Sequence, residues 1–168
     1  MTIIDDLVAF ASEAKATVSE TPGGHSMTWD HGMYAHHLWT SEGEWFYGKS
    51  ERGSSRIPTM ITPHLEIAVK WAISRIGADA RAALGLPWIS IPNTLEEMDP
   101  GWQVQQISLI TGRLVRDGGL IPMELRSIFP QCHNLAECSH LLRLPMEQLL
   151  ESYRTPDGNP LLGEYVRQ

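Results

Sequence analysis

The chain has 168 residues, 42% hydrophobic and 20% charged, which suits one ordinary domain with a real core and excludes a disordered polyelectrolyte. A formal net charge of −7 without any basic stripe argues against nucleic acid and anionic membrane surfaces, and suits a basic protein partner better. Two cysteines, Cys132 and Cys138, are too few for a disulfide-stapled scaffold, and no apolar run reaches the ~18 residues that a membrane span needs.

The first residues, Met1 to Asp6, lack the basic and apolar regions of a signal peptide, so a cytoplasmic location is expected. Residues 2–15 read as an amphipathic helix with Thr2 as N-cap, Asp5 and Asp6 at the positive end of its dipole, and Ile3, Leu7, Phe10 and Ala14 on one face. Thr21-Pro22-Gly23-Gly24 reads as a turn. Four aromatic-rich segments, 26–29, 34–40, 44–49 and 56–62, read as strands. Turns at Asp30-His31-Gly32 and Ser41-Glu42-Gly43 make them an antiparallel meander with one face on the core.

Within that block, Gly43 to Ser50 fits G-x-x-x-x-G-K-[ST], the phosphate-cradling P-loop pattern. The match is rejected on physical grounds. Its variable positions hold Trp45, Phe46 and Tyr47, which favour extended backbone over a tight anion nest. The residues after it, Glu51 to Arg56, have no helical period, whereas a P-loop opens a helix.

Thr62-Pro63 reads as the start of a helix, with Thr62 as cap and Pro63 at the first helical position. Leu65, Ala68, Val69, Ala72 and Ile76 continue it to Gly77, the expected left-handed end. A shorter helix is expected over 79–84, then an apolar, proline-punctuated segment at 86–92 and an acidic surface loop at 93–101. Strands are expected at 102–110 and 113–116, followed by a turn at Asp117-Gly118-Gly119. Asn134 caps a helix to about Leu142, with Glu137 completing a capping-box-like pair. Leu144-Pro145 opens a last helix to about Tyr153, before a turn at Thr155-Pro156-Asp157-Gly158. The sum is an α+β fold, an antiparallel sheet flanked by helices, in a single domain over 1–168.

Two histidine-containing clusters invite a metal or catalytic reading. His36 and His37, with His25 and His31 nearby, sit in strand-like sequence, where neighbouring side chains point to opposite faces and cannot share an ion. Cys132, His133, Cys138 and His140 have no recognised finger spacing, and Cys138 falls on an apolar helical stripe. Ser12 and Lys15 match S-x-x-K without its companion motifs, and the carboxylate pairs Asp5-Asp6 and Glu96-Glu97 lie in solvated contexts. The expectation is no catalytic residue, no cofactor and no metal. What remains is aromatic: six tryptophans, three of them in the meander. Strand alternation and the aromatic and Arg preference of binding hot spots mark Trp29, Tyr34, Trp45, Tyr47 and Arg52 as partner-binding residues. The alternative, that these rings are core, stays open.

The run Trp45-Phe46-Tyr47, Ser50-Glu51-Arg52-Gly53, a helix through Ile76-Gly77, Arg81 and Leu86-Pro87 resembles actinobacterial immunity proteins of polymorphic toxin systems. Leu141-Leu142, Leu144-Pro145, Ser152-Tyr153 and Pro156-Asp157-Gly158 extend the resemblance over most of the chain. Within that group the chain is most similar to the mycobacterial immunity factors for the tuberculosis necrotizing toxin, a secreted NAD glycohydrolase. The resemblance implies a non-enzymatic cytosolic antitoxin, monomeric when free. It would bind the cognate toxin domain 1:1 and cover the cleft where NAD enters. The alternatives from the residues themselves are a small metal-dependent or Cys–His hydrolase, using His31, His36 and His37 or Cys132 and His140, and a protein-binding adaptor domain.

Overall fold

The computed structural model describes residues 2–20, 26–30 and 32–167. The turn expected at Thr21–Gly24, His25 and His31 lie outside the described residues. Helix α1 (Ile3–Glu13) starts at a reciprocal capping box: the Thr2 hydroxyl accepts from the Asp5 N–H, and the Asp5 carboxylate accepts from the Thr2 N–H. Strands β1 (Thr17–Glu20), β2 (Ser26–Asp30), β3 (Tyr34–Ser41), β4 (Glu44–Glu51) and β5 (Ile57–Thr62) follow. Then come α2 (Leu65–Ala83), β6 (Trp88–Ile89), β7 (Trp102–Gln106), β8 (Thr111–Arg116), β9 (Gly119–Leu120) and β10 (Glu124–Arg126). Helices α3 (His133–Leu142) and α4 (Met146–Arg154) and the short β11 (Val166–Arg167) complete the chain.

The main sheet is antiparallel, in the order β1-β2-β3-β4-β5-β10-β8-β7, with β9 beside β8. Strands β2 to β5 are the expected meander, and β1, which was not expected, extends it at one edge. The second half then adds β10, β8 and β7 beyond β5, so the two halves of the chain share one sheet. Register explains which side chains meet the helices. Leu38, Tyr47, Met60, Leu125 and Gly112 are successive cross-strand partners and form one inward row. They join Leu7, Phe10, Trp71, Ile73, Ile76, Leu135 and Leu149 of the helices in a single core. The other face carries His37, Trp39, Phe46 and Ile61, and Trp39 stacks on Phe46 with ring centroids 5.3 Å apart. Gly48 lies under that pair at a bulge, where a Cβ would come 2.3 Å from the Ile57 carbonyl and 3.1 Å from the Trp39 ring. The pseudo-P-loop is therefore a hairpin strand with no helix behind it.

Three expectations need correction. The helices expected to end at Gly77 and to begin at Asp79 are one, α2, of 19 residues. Gly77 sits in its interior because a Cβ there would lie 2.6 Å from Cγ of Tyr153 on α4, so the glycine serves helix contact and not helix termination. The helix also begins later than Pro63, with His64 at the cap position, while the Thr62 hydroxyl accepts from the His64 N–H and donates to the Pro122 carbonyl. Finally, α3 begins at His133, after Cys132 in a left-handed conformation. Asn134 donates to the Arg126 carbonyl, and Glu137 pairs with Arg75 on α2.

Some of the residues quoted for the resemblance meet between α2 and α4. Arg81 is fully buried, and its guanidinium donates to the carbonyls of Pro87, Ser152, Tyr153, Thr155 and Pro156 at 2.6–3.3 Å. Several of those carbonyls belong to the last turn of α4, where a cation meets the negative end of the helix dipole. Gly77, Arg81, Pro87, Tyr153 and Pro156 thus form a single joint holding α4 against α2.

Candidate protein-binding surface

The five residues selected from strand alternation do not share a surface. Trp29 and Tyr47 are fully buried in the core. Tyr34 is half-buried, and its hydroxyl donates to Asp79 Oδ1 at 2.8 Å. Trp45 packs its half-buried ring against the core near the start of α2, and Arg52 is exposed in the turn beyond the far end of β4. Alternation located the faces of β2 and β4 but could not tell which face the helices cover.

Tyr47 and Tyr34 instead belong to a polar chain under the sheet. His36, fully buried, lies 2.5 Å by Nδ1 from the Tyr47 hydroxyl and 2.5 Å by Nε2 from Asp79 Oδ2. With the ring proton on Nε2, Tyr47 donates to His36 and His36 donates to Asp79, so every polar atom of the chain has a partner. Burial opposes ionisation of Asp79, but the hydrogen bonds from His36 and Tyr34 prevail and its carboxyl is held below the usual value. Burial and the same carboxylate push the Tyr34 hydroxyl up to about 12, and burial pushes Tyr47 well above its ordinary value. Lys49 lies over the Tyr34 ring at 4.6 Å. These groups are mutually satisfied, which makes them a brace between β3, β4 and α2.

The other clusters are held apart in the same way. His37 faces away from His36 and bonds to the hydroxyls of Thr28 and Ser50 at 2.9 and 2.7 Å. His133 and His140 bond to the carbonyls of Asn93 and Glu97, pinning the acidic loop onto α3. Both cysteines are free and buried, and burial raises both thiols above the ordinary range, far from a reactive thiolate. Among the described residues no group of three His, Cys, Asp or Glu side chains is disposed to hold a metal ion. None of their helices is long and apolar enough to cross a membrane.

The surface feature that strand reasoning missed is the tip of the β7–β8 hairpin. Ile107, Leu109 and Ile110 are 43%, 75% and 45% exposed, and Ile128 beside them is 65% exposed. The backbone there is well tied. The Ile107 and Ser108 N–H groups donate to the Thr111 carbonyl, Ile110 N–H donates to the Ser108 hydroxyl, and Ser127 and Phe129 donate to the carbonyls of Ile110 and Leu109. Four aliphatic side chains are thereby presented to water on a pre-organised knob. Clustered exposure of this kind marks an interaction site, whereas scattered apolar residues do not. The sequence signal was the run Ile107-Ser108-Leu109-Ile110, read as the end of a strand because its residues have high strand propensity.

A family model described as Immunity protein 61 matches residues 10–161. The solved structure of Rv3902c from M. tuberculosis superposes with a TM-score of 0.73 at 18% identity, covering 93% of this chain and 91% of that one. That likeness concerns the fold. No curated protein matches the sequence.

Proposed function

This chain belongs to the Immunity protein 61 family, and from that premise we propose that it is an antitoxin that blocks a secreted NAD-glycohydrolase toxin by occluding its cleft, one antitoxin to one toxin. The observation that carries the mode of action is the aliphatic knob of Ile107, Leu109, Ile110 and Ile128. Occlusion requires a rigid projection with apolar surface to bury and slow dissociation, and it requires no reactive group. The four side chains leave a little more than two whole side chains of surface in water. At about 1.5–3 kcal/mol per fully buried aliphatic side chain, covering them supplies about 3–7 kcal/mol, a substantial part of a tight complex. The net charge of −7 adds long-range attraction to a basic partner. The knob would serve an adaptor domain equally, and it is the family that favours the antitoxin.

The test is inhibition by titration. Added in increasing ratio to the candidate toxin domain, the chain should abolish NAD hydrolysis near one equivalent. Undiminished hydrolysis at several equivalents would remove the NAD-glycohydrolase assignment, and absence of a complex by gel filtration would remove the partner altogether.

A further inference from the structure

A sizeable concavity lies away from the knob. A groove of about 610 Å³ opens where the first turn of α2 meets the inward face of β4, β7 and β8. Trp45, Trp102, Ile67 and Leu142 form its apolar lining, and neither indole is fully covered. Its size falls in the range of small-molecule sites, roughly 300–1,000 Å³, which are mostly apolar with a few convergent polar groups.

Three cations lie around it, each with one acid partner. Lys70, Arg116 and Arg143 line the groove against a single acid, Glu66. Lys70 is committed: its ammonium pairs with Glu66 at 2.8 Å and donates to the Leu142 carbonyl at 2.9 Å. The two arginines are only lightly engaged. Arg116 reaches Asp117 at 3.8 Å through Nε and lies over the Trp102 ring at 5.2 Å, and Arg143 reaches Asp99 at 3.3 Å through one terminal nitrogen. Each guanidinium has five N–H donors, so most donors of both remain available. Helix α2 starts beside them with no side-chain cap, adding its positive end. The groove thus sets two arginines with spare donors beside its two indoles.

We propose that this groove binds a small carboxylate with an apolar body, an aromatic or medium-chain acid. The carboxylate lies against Arg116 and Arg143, whose planar forks match it in bidentate fashion. The apolar body covers the indoles of Trp45 and Trp102. The site goes beyond the antitoxin reading and does not depend on it, because it is complete in the free chain.

The test uses 3-(2-naphthyl)propionate and its neutral amide, titrated into the free protein and followed through the indole N–H signals in nitrogen-correlated NMR. The acid should shift the signals of Trp45 and Trp102 and bind at least tenfold more tightly than the amide. The double variant Arg116→Gln, Arg143→Gln should lose that preference while still melting cooperatively, at a lower temperature because Asp99 loses its partner. If that variant misfolds, added salt serves instead, weakening the acid and sparing the amide. Equal binding of acid and amide would overturn the proposal. So would acid-induced shifts confined to the hairpin tip and abolished by Leu109→Ser. Neither outcome bears on toxin inhibition, which is read separately.

Discussion

Replacing Leu109 tests the knob most directly, because three-quarters of this residue is in water and its carbonyl, not its side chain, holds the hairpin through Phe129 N–H at 3.0 Å. Full burial of a leucine side chain is worth about 1.5–3 kcal/mol, so covering the exposed portion contributes about 1–2 kcal/mol to association. Leu109→Ala should therefore weaken the complex about five- to thirty-fold, given about 1.4 kcal/mol per factor of ten. Leu109→Asp should cost more, about 3 kcal/mol or beyond, because a carboxylate would be forced into a dry contact. The assay is calorimetric titration against the toxin domain, paired with thermal melts of the free variants. Melting should stay within a degree or two, since no core contact is removed. Unchanged affinity for both variants would refute the knob as the contact. A large fall in melting temperature would show that the tip is structural.

The remaining predictions concern the frame. Gly77→Ala should destabilise the protein although alanine is normally the better helix residue by about 1 kcal/mol. The new Cβ collides with Tyr153, and overpacking of that kind costs about 1–3 kcal/mol, so denaturant midpoints should fall; a rise would mean that α4 shifts freely. Arg81→Met should lower stability by about 3–5 kcal/mol by removing the Arg81 donors from the buried carbonyls of Ser152 and Tyr153 and the partly buried ones of Pro87, Thr155 and Pro156, and chemical denaturation that shows under 1 kcal/mol would count against the joint. Asp79 ionises more readily folded than unfolded, so its contribution is present above the ordinary carboxylate value of 3.8 and is lost as pH falls through its lower folded value. Asp79→Asn should flatten that acid limb of the stability curve, and an unaltered pH profile would assign the limb to other carboxylates.

Much of the fold was legible because local rules and tertiary packing agree there. The Thr2 N-cap, the meander of β2 to β5 and the amphipathic face of α1 follow from spacing alone. The failures sit where distant residues decide. Gly77 has the local signature of a helix end, and only Tyr153, 76 positions away in the chain, turns it into a packing notch. Asn134 and Glu137 look like a capping box, yet each is claimed by a partner on another element, Arg126 and Arg75. Strands β1, β9 and β10 are four residues or fewer, too short to show a period, and depend on their neighbours in the sheet.

The binding surface was illegible for a related reason. Aromatic residues in strands satisfy equally the demands of a core and of a hot spot, and Trp29 and Tyr47 went to the core because the helices cover their face of the sheet. The knob offers no aromatic signal, and its isoleucines and leucine look like ordinary strand filler until the chain is seen to turn there. Gly77, Arg81, Tyr153 and Pro156, by contrast, lie in the joint between α2 and α4 and serve the frame. An inhibitor that works by obstruction separates these two demands: its frame must stay constant for the projection to be rigid, while the projection need only fit one cleft. A related antitoxin with a different target should accordingly keep the Arg81 joint and differ at the residues corresponding to 107–110 and 128. Exchanging that tip between two such proteins should transfer target choice without changing the melting temperature, whereas retention of the original target would place recognition on the open face around Trp39 and Phe46.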